Sequence, residues 1–397
     1  MLSTDEQARV TALCVALVNA QSYSGEERQA AEVVRQFADS DIFDRVTTDP
    51  LGNVLLEISG IKPGKTVLLD GHIDTVPVNR VNWTTDPFHA VQTDGRIMGR
   101  GTSDMKGSVS AMLVGAEKYA RATKKNFPGK IVISCSVHEE TFEGVATRQV
   151  SESIHPDVVI IGEATNLNLN RGQRGRAEII VETFGRSVHS ANPEKGVNAV
   201  LQMMKLLAAI DQLPVIEDAF MGKGILVLTD IVSAPYPGKS VLPDKCRATF
   251  DRRTLVGETK RSVLEPIERL IERLKQADPD FSASVRYATG KDSCYTGATI
   301  EAERFFPAWA FAPEEYFVDA SLRALHAIGI PAKLSHYSFC TNGSHFAGEA
   351  AIPTIGFGPS RENLAHIDNE FIETDQLYQA VEGFAAIIGG LLEKVKM

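Results

Sequence analysis

The chain predicts an α/β protein of two domains: a larger one with a central, mostly parallel sheet, and an inserted ferredoxin-like unit. Three observations lead there. At 397 residues the chain is about twice the common domain size. Short apolar strands alternate with helices in the first half and again after residue 314. Between them, residues 175–288 read β-α-β-β-α-β, the split-βαβ order.

In chain order, Thr11–Ala20 (TALCVALVNA) is the buried face of a first helix, with Asp5 and Glu6 ahead of it. Ser24 with Glu27 three residues on has the spacing of a capping box before a helix at Arg28–Phe37. Strands follow at Asn53–Ile58 and, after a Pro-Gly turn, at Thr66–Leu69. Helix signals return after Lys106, and Lys130–Val137 and Val158–Ile161 are further apolar strands. The middle gives a strand at Arg176–Phe184, a helix at Asn198–Leu213 and strands at Gly224–Val232 and Lys245–Arg253. An amphipathic helix at Glu258–Gln276 and a strand at Phe281–Tyr287 complete it. The α/β pattern resumes with Glu314–Ile328 and Thr354–Phe357, so residues 1–174 and 289–397 form one domain around the 175–288 insert. The aromatic stretch Phe305–Phe311 reads as packing in a core or at a domain edge.

Composition excludes several function classes. Forty-one Lys and Arg against 51 Asp and Glu leave a net charge of −10, which repels a phosphate backbone, so nucleic acid is not expected as a partner. No apolar run approaches the ~20 residues of a membrane helix, so no membrane partner is expected either. Five scattered cysteines without a CxxC pair fit a reducing, cytoplasmic setting. Gly64-Lys65-Thr66 and Gly238-Lys239-Ser240 end like phosphate loops, but Ser59 and Ser233 stand where the upstream glycine is needed.

Chemistry concentrates at strand ends. Thr66–Leu69 runs into Asp70-Gly71-His72-Ile73-Asp74, at the edge where α/β sheets bind ligands. Residues i and i+2 of an extended segment share a side, so Asp74 can accept the ring N–H of a metal-bound His72, or the two can form a structural His-Asp pair. Gly99–Gly107 (GRGTSDMKG) folds tightly around Asp104, which can be a bridging ligand or a helix N-cap. Lys130–Val137 ends in His138-Glu139-Glu140, whose adjacent acids point to opposite sides of an extended chain, so that one can bind metal and its neighbour act as a general base, or the two can form a solvated acidic loop. Glu163 follows Val158–Ile161, and Ala365–Glu370 (AHIDNE) adds a second imidazole, His366. Two histidines and several carboxylates fit a two-metal hydrolase site of mixed N/O ligation. Such ligation suits Zn²⁺, with Mn²⁺ or Co²⁺ as substitutes.

The set GHIDTVP, GRGTSDMKG, HEE, GEAT and AHIDNE resembles the co-catalytic metallo-aminoacylase and carboxypeptidase family, which includes acetylornithine deacetylase, succinyl-diaminopimelate desuccinylase and glutamate carboxypeptidase. The likeness covers nearly the whole chain, and the inserted unit matches the family's lid domain. The resemblance implies that Asp104 bridges two divalent metal ions, with His72 and Glu163 completing one site and Glu140 and His366 the other. It implies Glu139 as the base acting on a water between the metals, and Asp74 as the residue orienting His72. Gly185–Pro193 resembles the lid histidine motif, which makes His189 an oxyanion stabiliser acting in its own or a partner subunit of a lid-mediated homodimer. Lys245–Arg253 resembles the lid strand bearing a substrate-carboxylate arginine, which makes Arg253 a substrate ligand, with a surface salt bridge as the rival role. Asn342 and Gly343 belong to the late substrate loop.

Two departures bear on the substrate: Ser240 stands where relatives often carry Asn, and His345 is added to the late loop. SVLPDKCRATFDRRTLVGET and TNGSHF resemble the YgeY-like hydrolase subgroup. The activity implied is hydrolysis of an amide of a small substrate, an N-acyl amino acid or a relative of one. The alternatives are a dipeptidase or carboxypeptidase, an N-carbamoyl amide hydrolase, and a catalytically silent binding protein.

Overall fold

A computed structural model describes residues 2–38 and 41–393. The chain divides into two compact units: Met1–Gln173 with Lys291–Glu301 and Trp309–Met397, and Arg174–Gly290 with Ala302–Ala308.

The first unit is built on a sheet of nine strands among the described residues. Lys62–His72 lies at its centre, parallel to Pro128–Ser136 on one side and Val158–Ile161 on the other. Thr354–Gly356 continues the parallel run beside Val158–Ile161. Antiparallel strands flank this centre, with Arg45–Thr48 and Val54–Ser59 on one side and Leu169–Gln173 with Trp309–Ala310 on the other. The three central strands read as continuous apolar runs because both faces are covered: Val67, Leu68, Ile131, Val132, Val158 and Val159 are all fully buried. Their parallel register aligns their C-terminal ends, with His72 opposite Ser136 and Asp70 opposite Ile161.

The helix Arg28–Phe37 forms where the sequence predicts it, but without the expected capping box. Ser24 instead donates to Asp74 Oδ2 at 2.7 Å, and Glu27 accepts from Gly25 N and His138 N. Tertiary partners therefore outcompete the local cap. A true capping box closes the first helix, Thr4–Asn19, between Ser3 and Glu6.

The second unit orders its long strands Ile225–Ala234, Lys245–Thr254, Gly175–Phe184, Ser282–Tyr287, all antiparallel. In chain order this is 2-3-1-4, the arrangement expected of a split-βαβ unit. Alternation divides the faces. Ile179, Val181, Ala248 and Phe250 pack against Met203 and Leu206 of the helix Ala199–Ile210 and Ile267 and Ile271 of Lys260–Ala277. Arg176, Glu178, Arg247, Thr249 and Asp251 occupy the alternate positions. The Phe305–Phe311 stretch is split between the units: Phe305–Phe306 pairs with Arg176 and Ala177 in the second, and Trp309–Ala310 with Gln173 and Gly172 in the first. Ala302–Ala308 thus belongs with the insert, although the sequence alone closes the insert at residue 288.

Leu206 is fully buried in the core of the second unit. Leu206→Ala is expected to destabilise the protein by about 2–5 kcal/mol, the usual cost of a cavity of that size, measured by urea unfolding.

Candidate metal centre

The aligned strand ends deliver the acids and imidazoles to one edge of the first unit's sheet. His72 ends its strand, Glu163 lies two residues beyond Val158–Ile161, and Glu139 and Glu140 sit in the turn after Pro128–Ser136. Asp104 comes from the loop before the helix Gly107–Thr123, and its peptide bond to Met105 is cis. Gly101 permits that loop: its φ is +88°, and a Cβ there would lie 2.9 Å from Thr75 Cγ2.

Asp104 is the hub. Its Oδ1 is 3.0 Å from His72 Nε2, and its Oδ2 is 3.1 Å from His366 Nε2. Glu163 Oε1 lies 3.3 Å from the same His72 nitrogen, and Glu140 Oε2 lies 2.9 Å from the same His366 nitrogen. Two sets of donor atoms result, His72–Asp104–Glu163 and Asp104–Glu140–His366, each with all donor atoms within 4.8 Å of one another. Glu139 Oε2 stands 3.9 Å from His72 Nε2. All are buried or nearly so except His366, whose side chain is 52% exposed and marks the open side.

This concentration of charge is costly without cations. Burial and the neighbouring Glu163, Glu140 and Glu143 charges push Glu139 well above the carboxylate range, against the pull of His72. Burial and Asp104 push Glu140 up to about 7 and raise Glu163 as well. Burial would also raise Asp104, but hydrogen bonds to His366 and His72 overcome it and hold the group low. Hydrogen bonds to Asp104 and Glu140 raise His366 to about 10. Burial works against protonation of His72, yet its hydrogen bonds to Asp104, Asp74 and Glu163 raise it well above the usual value. Glu139 Oε1 and Glu140 Oε1 are buried with no hydrogen-bond partner among the described residues. Unsatisfied buried carboxylate oxygens beside imidazole nitrogens, arranged as two overlapping triads, fit two divalent cations of the Zn²⁺, Mn²⁺ or Co²⁺ type.

Buried partners fix the donors. Asp74 Oδ1 and Oδ2 accept from the backbone N–H groups of Glu139 and Glu140, each at 3.2 Å. His72 Nδ1 is closest to the Asp74 backbone carbonyl, at 3.0 Å, with the Asp74 carboxylate at 3.5 Å. Asp74 therefore orients the Glu139–Glu140 turn as well as the imidazole. That turn, rather than strand alternation, separates the two glutamates, because the strand has already ended at Ser136. Gly358 allows close packing behind Glu163, since a Cβ there would meet Gly162 O at 2.4 Å and Glu163 O at 2.5 Å.

Sequence reasoning gave Glu370 no role. This fully buried carboxylate accepts from Arg100, Gly101 N, Ser103 N and Asp104 N at 2.6–3.0 Å, and so clamps the loop carrying Asp104. Its one signal was a second acid in the AHIDNE segment. Lys106 was also passed over. It donates to Leu17 O and Ala20 O at 2.9 and 2.8 Å, and burial pushes it down to about 7 against the opposing charges of Glu370 and Asp74.

The other residues predicted from the sequence are outside the two donor sets. His189 is in the second unit, exposed, and its Nδ1 accepts from Ala191 N at 3.1 Å. Arg253, also in the second unit, pairs through Nε with Asp251 Oδ1 at 2.9 Å. Asn342 has a fully committed amide: it donates to Asp70 and Ser136 and accepts from Gly144 N. Gly343 lies against Trp309 and Gln173, with room for no side chain. His345 bridges Ser151 and Glu349 at 2.7 and 2.8 Å.

The model of Peptidase family M20/M25/M40 matches residues 68–389. The uncharacterized protein YgeY of Escherichia coli K12 is 33% identical over 389 residues, covering 96% of this chain and 94% of its own. Succinyl-diaminopimelate desuccinylase 2 of Ruegeria sp. TM1040 is 29% identical over 283 residues, covering 68% and 70%. Among solved structures, the Bacillus subtilis YXEP protein, described as a dinuclear metal binding peptidase from the M20 family, superposes with a TM-score of 0.72 at 14% identity, over 99% of this chain and all of the other.

Arg100, 3% exposed, is the cation paired with Glu370 at 2.6 Å. Arg100→Leu leaves that carboxylate buried without it and is expected to cost about 3–5 kcal/mol in urea unfolding. Glu370→Gln is expected to weaken metal binding by roughly 10–100-fold, read by competition with a chromophoric chelator, as for other residues that hold metal ligands in place.

Proposed function

As a member of Peptidase family M20/M25/M40, the chain is a hydrolase of amide or peptide bonds, and we propose that it removes the acyl group from N-acyl amino acids or related small amides. The observation that carries this reading is the pair of donor triads sharing Asp104. His72, Asp104 and Glu163 would hold one divalent cation and Asp104, Glu140 and His366 the other, with Zn²⁺ the metal best suited to imidazole and carboxylate donors. Such cations would supply Lewis-acid polarisation of a carbonyl and a water whose pKa is lowered to about 7.

The chain's own residues do the rest. Glu139 takes a proton from the attacking water and delivers it to the departing amine nitrogen. Its unpartnered Oε1 supports this role, since that atom is spent on no structural contact. Asp74 keeps Glu139 and His72 in register through the turn N–H groups and the ring Nδ1. In the same reading His189 donates to the carbonyl oxygen as it gains charge, and Arg253 receives a substrate carboxylate. Gly343 lets the late loop approach closely, with Asn342 as its anchor to the sheet. The named activity of the desuccinylase relative favours an acyl over a peptidyl substrate.

The reading includes a homodimer formed through the second unit. Ile225–Ala234 is an edge strand, bonded among the described residues only to Lys245–Thr254, and exposes Val227, Leu228, Ile231 and Val232 at 42–49%. A long, exposed apolar edge is a template for pairing with another strand. Leu201 and Met204 on the helix Ala199–Ile210 are exposed as well, at 56% and 59%.

Glu139→Gln is expected to lower kcat on N-acetyl amino acids by roughly 10²–10⁴-fold while metal content per chain, measured by plasma mass spectrometry, stays at the wild-type value. Chelation is expected to abolish turnover and added Zn²⁺ or Mn²⁺ to restore it; turnover that survives complete chelation would sink the reading. For the assembly, Ile231→Lys together with Val227→Lys is expected to convert a dimer to a monomer in light scattering, and a monomeric wild type would contradict the dimer.

A further inference from the structure

The helix-free face of the second unit's sheet carries a polar cavity of about 370 Å³, lined by none of the metal centre's donor residues. Five charged side chains line it, and three of them are already matched. Asp251 is held by Arg176 at 3.0 Å and by Arg253 at 2.9 Å, and Glu178 lies 3.6 Å from Arg304. The other two, Arg247 and Asp230, are not. Neither side chain has a hydrogen-bond or ion-pair partner among the described residues, and Arg247 Nε is buried without one.

Their placement is the informative point. Asp230 lies opposite Thr249 in the antiparallel pair, and Arg247 lies two residues before Thr249 on the same strand. They are diagonal neighbours, with Cβ atoms about 7–8 Å apart. A long side chain can bridge that gap, as Arg176 does to Asp251 at 3.0 Å, and the acid directly opposite Arg247, Glu182, is taken by Lys245 at 2.8 Å; Arg247 and Asp230 nevertheless do not meet, which leaves both to a ligand that presents both charges itself. A buried guanidinium nitrogen without an acceptor is a standing penalty that a bound carboxylate removes.

We infer that Arg247 and Asp230 bind a zwitterionic α-amino acid, the carboxylate at the guanidinium and the ammonium at Asp230. Thr229 and Thr249 complete the walls with hydroxyl groups, and the cavity has room for a side chain beyond the two charges. The site is separate from Arg253, which lies six residues further along the strand, about 20 Å at ~3.3 Å per residue. It does not rest on the acyl-amide reading, since it concerns free amino acid rather than turnover.

Isothermal titration of the metal-loaded protein with L-alanine tests it, with L-lactate and L-alaninol as analogues that each lack one of the two charges. L-alanine is expected to bind, and each analogue to bind about tenfold more weakly or worse. Arg247→Met and Asp230→Asn are each expected to weaken L-alanine binding by a similar factor of about ten or more. Thermal melts of both variants are expected at or above the wild-type midpoint, because neither side chain has a protein partner to lose and Arg247→Met removes a buried unsatisfied donor. The inference is overturned if L-alanine does not bind, if either analogue binds as tightly, or if either variant keeps wild-type affinity, as it would were the amino acid bound at the metal centre. Absence of turnover on every N-acyl amino acid would count against the deacylase reading and leave these outcomes unchanged.

Discussion

The structure depends on holding like charges together. Asp104, Glu139, Glu140 and Glu163 converge at one edge of a sheet whose central strands are dry, and burial opposes ionisation of each. In a low-dielectric setting such a cluster persists only where positive charge compensates it. The two imidazoles supply part of this, and the spacing of the donor atoms fits cations that supply the remainder. The surroundings make sense as consequences. Asp74 binds two backbone N–H groups, and Glu370 binds three together with Arg100. Both fix the polypeptide that carries the acids without placing further cationic side chains among them.

Much of the site was readable in the sequence because the architecture concentrates polar residues where buried strands end. A run such as Thr66–Leu69 or Val158–Ile161 has to be followed by residues that can meet solvent or a ligand, so His72 and Glu163 stand out against their neighbours. The β-α-β-β-α-β order was readable for a related reason: strands of period two and helices of period 3.6 alternate there with little interruption. Glu370 was not readable. Its partners are Arg100, Gly101, Ser103 and Asp104, some 270 positions away, and three of its four bonds go to backbone N–H groups that leave no mark on the sequence. Ser24 misled for the converse reason. The local cap it could form with Glu27 was available, but Asp74 and His138 offered each of them a better buried partner. The turn at Glu139 and Glu140 lay beyond reach as well, because a strand's last residue is set by where its neighbour stops pairing, which sequence patterning locates only loosely.

The second unit divides its labour between its faces. One is covered by two helices and provides the stability a unit of this size needs, through Ile179, Val181, Met203, Leu206 and Phe250. The other is charged, and most of those charges cancel in pairs, across adjacent strands for Arg176 and Asp251 and along one strand for Arg253 and Asp251. Surface charges that pair add little stability, but they organise the field so that the unpaired ones stand out. A residue such as Arg247 cannot be told from Arg253 in the sequence, since both alternate outward on one strand. The structure separates them: Arg253 pairs with Asp251 two residues before it on its own strand, whereas Glu182, the acid opposite Arg247, is taken by Lys245.

His366 is the one member of the donor set on an exposed loop, and its precision needs explaining, since loop residues are ordinarily the least fixed. The answer lies in the residues after it. Asp368 accepts from Asn82 at 3.0 Å, Asn369 accepts from Thr84 through both its N–H and its hydroxyl at 2.8 Å, and Glu370 is locked beneath the Asp104 loop. Three consecutive side chains thus tie the segment to two other loops of the same unit within four residues of the imidazole. The clamp that positions Asp104 also positions the histidine paired with its other oxygen, so the two halves of the second triad are held by one buried carboxylate. A donor on a loop can be as well placed as one on a strand when its neighbours, rather than its own backbone pairing, carry the constraint.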